Sequence, residues 1–210
     1  MAPDPMSVTV FGQDEGRRVR GLRTTFRLTL RALKRPALIA TREGEIVGVA
    51  AFARPSECFF KQMDSRRKTV RIGNRSIAFA VPSLPLRTLF SYLRLGPTTL
   101  SRMSVWTETT ARNDPKEAHQ HIELVAVAPE YQRQGIGRLM MDRALEEMKS
   151  LPGMPYLETN TEADVRFYER LGFEILHSVE AMNVTIRFMA IRQWPRVPPE
   201  ESDLTSKLPP

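Results

Sequence analysis

Residues 121–138 read HIELVAVAPEYQRQGIGR, and this stretch decides the fold. Its first half is an apolar strand that ends at Pro129, and its second half carries Gly135 and Gly137, where a helix begins. A helix start holds amide groups without an intrahelical acceptor, and the peptide dipoles favour negative charge there. Because neither glycine has a Cβ atom, a phosphate can approach those amides closely. The stretch therefore predicts a turn that binds a pyrophosphate.

The chain after this turn continues the same layout. One side of a helical wheel is apolar, and the pair Pro152-Gly153 then stops the helix. Residues 155–160 predict a short strand, a second helix begins near Thr161, and Gly172 ends that helix before a further strand. The apolar residues of the first helix are Ile136, Met140, Met141, Ala144, Leu145 and Met148.

Two runs in this region carry a family resemblance. The run Gln132-x-x-Gly135-x-Gly137 resembles the acetyl-CoA-binding motif of the GNAT superfamily of N-acetyltransferases, and residues 167–173 resemble the tyrosine-bearing end of that domain. The resemblance covers residues 115–192 by motif and residues 7–60 by layout alone, and the motif pattern is most similar to puromycin N-acetyltransferase-like members. It implies an α/β fold with a mixed sheet of six to seven strands and about four to six helices. In that fold the fourth and fifth strands splay apart.

The resemblance also implies acetyl-CoA as co-substrate and no metal. A slot between the splayed strands would hold the pantetheine arm against the backbone of Val125, Ala126 and Val127. The turn would hold the pyrophosphate with the amides of residues 133–138. Its implied binding residues are Gln132, Arg133, Gln134, Gly135, Ile136, Gly137 and Arg138.

Some of these contacts have a second interpretation. Arg133 and Arg138 can add charge-assisted contacts to phosphate, or they can be surface arginines without a ligand. Relatives commonly carry asparagine at the positions of Thr161 or Asp164, so Thr161 and its neighbour Asn160 are the candidates for that contact here. Thr161 can also serve as the N-cap of its helix.

Acetyl transfer to an amine needs a base, because the ammonium group must lose a proton before the nitrogen can attack a thioester. His119, His121 and Glu123 alternate along the predicted strand, so all three point to one side of it. By resemblance, His121 stands where histone-modifying members carry a glutamate base, and Glu123 lies two residues nearer the slot. The sequence leaves open which of the three is the base, and each can instead be a polar residue at a strand edge. A bulge would change which one faces the amine.

Tyr168 stands at the motif position that protonates the departing thiolate in the family. The alternative is an aromatic core contact beside Phe167 and Phe173. A backbone N–H near Val127 would stabilise the negative oxygen that forms during transfer. The resemblance thus implies direct transfer in a ternary complex.

The composition limits the cellular compartment and the domain organisation that we expect for such an enzyme. Cys58 is the single cysteine among 210 residues, so no intrachain disulfide forms and a reducing compartment is favoured. The longest apolar run, residues 46–53, is too short to span a bilayer, and the N-terminus lacks a signal-peptide layout. We expect a soluble cytoplasmic protein with a single acetyltransferase domain over residues 7–194 and a disordered proline-rich tail over residues 195–210. The sequence leaves a homodimer as one possible oligomeric state.

The net charge of +7 raises the question of a nucleic-acid partner. No nucleic-acid module is visible, and no stacking aromatic residues alternate with the basic ones. The pattern favours a solvated basic surface that also attracts the anionic co-substrate. Its members are Arg20, Arg23, Arg27, Arg31, Lys34, Arg66, Arg67, Lys68, Arg71 and Arg75.

The acceptor is expected to be a primary amine of a small molecule, bound partly by the insertion over residues 59–113. A protein lysine or N-terminus, and a non-catalytic module that binds CoA or nucleic acid, are the alternatives. No acidic cluster stands out in the sequence. The apolar residues that either line an acceptor pocket or pack two helices together are Phe90, Tyr92, Leu93, Met103 and Trp106.

The rest of the chain is assigned by periodicity and turn signals. We expect a strand over residues 7–11, a helix over 15–35, a hairpin of 37–41 with 45–52, a loop over 61–75, helices over 85–95 and 97–110, and a last strand over 183–191.

Overall fold

The computed structural model describes residues 4–33, 37–55, 67–72, 75–80 and 94–195. Its helices are α1 (Pro5–Phe11), α2 (Glu15–Ala32), α3 (Pro97–Asn113), α4 (Ile136–Met148) and α5 (Glu162–Glu169). Its strands are β1 (Leu38–Arg42), β2 (Glu45–Ala53), β3 (Arg67–Ile72), β4 (Arg75–Ala80), β5 (His119–Val127), β6 (Met154–Thr159), β7 (Glu174–Ala181) and β8 (Val184–Ala190). Cys58, most of the helix expected over 85–95 and nearly all of the expected tail lie outside the described residues.

Six strands form one mixed sheet in the order β1-β2-β5-β6-β8-β7, and β3 pairs with β4 apart from it. The pairing of β5 with β6 is parallel, and the other pairs of this sheet are antiparallel. The parallel pair ends at His121 and Tyr156, although β5 runs on to Val127 and β6 to Thr159. The two strands therefore splay apart, as the resemblance implies, and the α/β fold is confirmed.

Apolar cores lie on both faces of the sheet. On one face, Met141 and Met148 of α4 and Val165 of α5 pack with Ile122 and Leu157. The other core joins residues of α1 to β6 and β8, with side chains of α2 and α3 packed against it; Met6, Val10, Tyr156, Ile186 and Phe188 belong to it. Since neighbouring residues of a strand point to opposite faces, Tyr156 and Leu157 divide between the two cores.

The loop between α4 and β6 is tied to β5 by a buried amide. Gln120 Nε2 donates toward three carbonyl oxygens, those of Met148 (2.9 Å), Leu151 (3.2 Å) and Gly153 (2.9 Å). Gly153 has a φ of +92°, and a Cβ atom there would lie 2.8 Å from the amide nitrogen of His119. This close approach fixes the register at which β5 and β6 begin their parallel pairing.

The expected strand over residues 7–11 is wrong, because this segment is helix α1. The Asp4 carboxylate accepts a hydrogen bond from the Ser7 amide at 2.6 Å, and Pro5 occupies the first helical position. An N-cap followed by proline starts a helix. Met6 and Val10, four residues apart, then bury one side of it. The alternation of polar and apolar residues over 7–11 matched a strand equally well, and the cap decides between the two.

The expected loop over residues 61–75 is wrong where the structure describes it, because β3 and β4 form a hairpin there. β-branched residues in β3 favour a strand, and the basic side chains between them obscured that pattern. The hairpin of β1 and β2 is confirmed, with Glu43 (φ 54°) and Gly44 (φ 84°) as its two turn residues. Helix α2 ends at Ala32, short of the expected end at residue 35.

Within the described ranges, no helix combines the length and the apolar character that a membrane span requires.

Candidate active site

The end of β5 offers main-chain groups to the slot. Ala128 N–H donates to Val47 O of β2 at 2.8 Å. Because main-chain groups of a strand alternate in direction, those of Ala126 also point toward β2, and those of Val125 and Val127 point away from it. Of the three predicted pantetheine contacts, Val125 and Val127 therefore face the slot, and Ala126 does not.

The turn between β5 and α4 is open around its first glycine. Gly135 has a φ of 84° and a ψ of −9°, and a Cβ atom there would have no heavy atom within 4 Å. The first main-chain bond of α4 runs from Leu139 N to Gly135 O at 3.0 Å, so the amides of residues 136–138 precede the first helical bond. Left-handed glycine, free space and helix-end amides fit a diphosphate.

The second glycine has a different role. A Cβ atom at Gly137 would lie 3.6 Å from Phe167 Cζ and 3.7 Å from Val127 Cγ2, which are ordinary contact distances. Gly137 thus lies where the end of β5, the start of α4 and α5 meet.

Side chains brace the turn from within. Gln132 Nε2 donates to Val127 O, and Gln134 Nε2 donates to Glu130 O, each at 2.9 Å. The two predicted glutamines therefore hold the turn in shape. Arg133 and Arg138 are exposed, and Arg133 has a left-handed φ of 58°.

Arg42, the last residue of β1, contacts the turn before α4, and the sequence analysis did not predict this contact. Its Nη1 donates to Gln134 Oε1 at 3.0 Å, and its guanidinium carbon lies 5.6 Å from the centre of the Tyr131 ring. Arg42 is 92 residues from Gln134 in sequence. The hairpin of β1 and β2 brings it there, and the sequence carries no local signal for that contact.

Thr161 caps α5. Its hydroxyl accepts from Asp164 N at 3.1 Å and donates to Asp164 Oδ2 at 2.5 Å. The Thr161 hydroxyl, which the sequence analysis proposed as a pantetheine contact, is therefore engaged in the helix cap. Asn160 is half-buried directly beyond β6.

Tyr168 lies on α5, partly buried against the core that α4 and α5 cover. Its ring centre is 5.1 Å from that of Phe167 and 5.6 Å from that of Phe173. Burial raises the pKa of the Tyr168 phenol well above its ordinary value of 10.0, and the negative charge of Asp164 raises it further. The phenol is therefore neutral, and a neutral phenol can donate a proton.

On the opposite face of the sheet, His121 lies between two carboxylates. Its Nε2 is 2.7 Å from Glu158 Oε2, and its Nδ1 is 3.4 Å from Glu123 Oε1. The side chains of His121, Glu123 and Glu158 are 1%, 6% and 8% exposed. Tyr156 O–H donates to Glu158 Oε1 at 3.2 Å. We call these four residues the His121 cluster.

A bulge in β5 shapes this cluster. Ala51 of β2 pairs with Leu124 and Phe52 with Ile122, so Glu123 is an extra residue between two pairs. The bulge interrupts the pairing of β5 with β2, yet the Glu123 carboxylate still lies 3.4 Å from His121 Nδ1, so these side chains stay on one side of the strand as expected.

His119 has both ring nitrogens beside oxygens of the connection that leads into β5. Nδ1 donates to the main-chain oxygen of Glu117 at 2.9 Å, and Nε2 lies 3.0 Å from Asp114 Oδ1. The side chain is fully buried, and its ring centre is 4.9 Å from that of Tyr156. His119 therefore joins the end of α3 to β5.

Sequence reasoning missed Glu158, Tyr156 and Asp114, which the structure brings beside the two histidines. A polar residue two positions after Tyr156 in an otherwise apolar strand was the available signal for Glu158. The expected pocket residues Met103 and Trp106 pack against the core beneath α1. Phe90, Tyr92 and Leu93 lie outside the described residues.

Comparison with known proteins agrees with this geometry. Residues 104–175 match the model of the acetyltransferase (GNAT) domain. Over these residues the chain is similar to GNAT acetyltransferases. The match and the GNAT-type fold support an N-acetyltransferase enzyme.

Solved structures are also similar. The structure of histone acetyltransferase HPA2 and related acetyltransferase from Corynebacterium glutamicum has a TM-score of 0.54 and 20% identity, covering 95% of this chain and 87% of that chain. Naa20 of Chaetomium thermophilum, in complex with a bisubstrate analogue, has a TM-score of 0.45 and 18% identity, covering 84% of this chain and 80% of that chain. The first of these shows the GNAT fold.

Proposed function

We propose that this protein transfers an acetyl group from acetyl-CoA to a primary amine of a small molecule, by direct attack in a ternary complex. One observation carries the proposal. The splay between β5 and β6 has the buried His121 cluster on one face of the sheet and the neutral phenol of Tyr168 on the other. An amine can thus be deprotonated on one side of the slot while the leaving group is protonated from the other.

Acetyl-CoA supplies an activated acetyl group and a thiolate leaving group. The main-chain groups of Val125 and Val127 that face the slot fit the pantetheine arm. The amides of residues 133–138 and the free space at Gly135 fit the diphosphate.

Glu123 and His121 act as the base. An ammonium group that enters the slot gives one proton to this pair, and the free lone pair then forms the C–N bond. The carboxylates of the cluster also attract a cationic amine in preference to a neutral one. His119 is set apart from this pair, because its Nδ1 donates to the main-chain oxygen of Glu117 and its Nε2 lies beside Asp114, whereas a ring nitrogen of His121 lies beside Glu123.

Tyr168 donates its proton to the sulfur as the C–S bond breaks. The main-chain N–H of Val127 donates to the carbonyl oxygen as negative charge builds up on it. The nitrogen loses its second proton when the amide forms, and that proton restores the phenol. The products are the amide, the free thiol and one proton released to solvent.

The similarity of residues 115–117, 157–159 and 167–173 to puromycin N-acetyltransferase-like members supports a small-molecule acceptor. The test is a thiol-release assay with acetyl-CoA and an acceptor panel of small amines, puromycin, and peptides with free N-termini or lysines. We expect turnover with small amines. Turnover on peptides alone would identify a protein acetyltransferase instead. Acetyl-CoA binding by calorimetry without turnover on any acceptor would identify a non-catalytic module.

A further inference from the structure

We infer that Glu158 is a positioning residue that keeps a proton on His121 Nε2 and so reserves Nδ1 to accept the proton from the amine. This inference rests on the proposed function and assigns a role to a residue outside the slot motifs.

The two oxygens of Glu158 both accept hydrogen bonds. Oε1 receives the Tyr156 hydroxyl at 3.2 Å, and Oε2 is 2.7 Å from His121 Nε2. An ionised carboxylate has no proton to donate, so this short contact requires the N–H on Nε2. In a neutral imidazole the other nitrogen is then the acceptor. Glu158 thereby selects one tautomer of His121.

The acceptor nitrogen lies beside the Glu123 carboxylate. His121 Nδ1 is 3.4 Å from Glu123 Oε1, and the bulge sets Glu123 outside the regular pairing of β5 with β2. A proton that Glu123 takes from the ammonium group passes to Nδ1, which restores the Glu123 carboxylate. The imidazolium that forms lies between two carboxylates, and their charge stabilises it.

Within the described part of the chain, titratable groups approach His121 from two strands. Glu123 and His119 face it from β5, with the His119 ring centre 6.4 Å away, and Glu158 and Tyr156 face it from β6. His119 makes a contrast, because its Nδ1–H is committed to a main-chain oxygen.

The test is Glu158→Gln, which keeps the shape of the side chain and removes its charge. The amide can accept from Nε2–H or donate to a bare Nε2, so the tautomer is no longer fixed. We expect kcat to fall by about 10–100-fold, in the range seen when a group that orients a functional histidine is lost. The acid limb of the pH profile of kcat/KM should move to lower pH, because the imidazolium loses a neighbouring negative charge. The Kd for acetyl-CoA should not change.

Two further variants separate positioning from fold stability. Glu158→Asp keeps the charge and should recover part of kcat and the original pH profile. Glu180→Gln removes the same charge from an exposed position of β7 and should leave kcat and the pH profile unchanged. If Glu158→Gln lowers the Tm while the pH profile and kcat stay at the wild-type values, Glu158 is only structural and the inference is overturned.

A readout without turnover keeps this result distinct from a failure of the proposed function. Nitrogen NMR of His121 should show the Nε2–H tautomer in the wild-type protein and a mixture in Glu158→Gln. An Nδ1–H tautomer in the wild-type protein overturns the inference even if acetyl transfer is confirmed. Absence of turnover on every acceptor would overturn the proposed function. The tautomer measurement would then decide by itself whether Glu158 holds the proton on His121 Nε2.

Discussion

The turn that begins α4 and the His121 cluster lie at opposite ends of β5, and they are built in opposite ways. The turn presents main-chain amides around a glycine that has free space on its outer side. The cluster presents side chains that are at most 8% exposed and come from two strands. A main-chain site tolerates most side-chain changes except those that add volume, whereas a buried cluster responds to the change of a single atom. Substitutions should therefore separate binding of acetyl-CoA from the chemistry.

The largest effect is expected from Gly135→Val, which should abolish detectable binding of acetyl-CoA. The new side chain fills the open space that we assign to the diphosphate, and the φ of 84° is unfavourable for a β-branched residue. Loss of two hydrogen bonds to a charged group corresponds to about 10²–10⁴-fold in Kd. Isothermal titration calorimetry measures it. Gly137→Ala is the matched control and should bind within a few-fold of wild type, because its Cβ atom makes ordinary contacts.

Glu123→Gln should lower kcat by about 10³-fold and leave the Kd for acetyl-CoA unchanged. The amide cannot take a proton from the ammonium group, whereas the turn is untouched. Steady-state kinetics at saturating acetyl-CoA give kcat. The exposed neighbour Glu117→Gln removes the same charge and should retain activity. Equal loss in both variants would contradict a specific role for Glu123.

Tyr168→Phe should lower kcat by about 10²-fold with little change in the Kd for acetyl-CoA. The ring keeps its contacts with Phe167 and Phe173, so the lost group is the proton donor alone. Because burial raises the pKa of Tyr168, its phenol stays protonated and should cause no basic limb in kcat below pH 10.0. An unaltered rate in the variant, or a basic limb that disappears with the phenol, would exclude this assignment.

The smallest effect is expected from Arg42→Ala, which should weaken acetyl-CoA binding by about 2–5-fold, since an exposed contact contributes little. Arg42 acts on the turn through Gln134, and the amides themselves remain. Calorimetry at low ionic strength is the suitable measurement. Arg143→Ala, on the exposed side of α4, is the charge-matched control and should bind as wild type does. Equal weakening in both would indicate only a general charge effect.

The sequence predicted the turn well and the cluster only in part. Glycine spacing, the strand before it and the helix after it all lie within residues 121–148, so local physics determines them. Thr161 was expected either to contact the pantetheine or to cap its helix, and its bonds to Asp164 confirm the cap. Glu123 and His121 were named from their own strand. Glu158 was not, because its contact with His121 exists only once β6 pairs beside β5.

The N-terminal segment is a case in which a local sequence pattern predicted the wrong secondary structure. Alternating polar and apolar residues over 7–11 matched a strand, yet the cap by Asp4 and burial of Met6 against the sheet decided for helix α1. The sequence alone determined what short-range geometry requires: where chain direction changes, where amides lack partners and which faces are apolar. Tertiary structure alone decided which carboxylates meet His121 and where Arg42 lies, because those contacts depend on strand order and on a bulge in β5. Neither the strand order nor the bulge produces a periodic pattern in the amino-acid sequence.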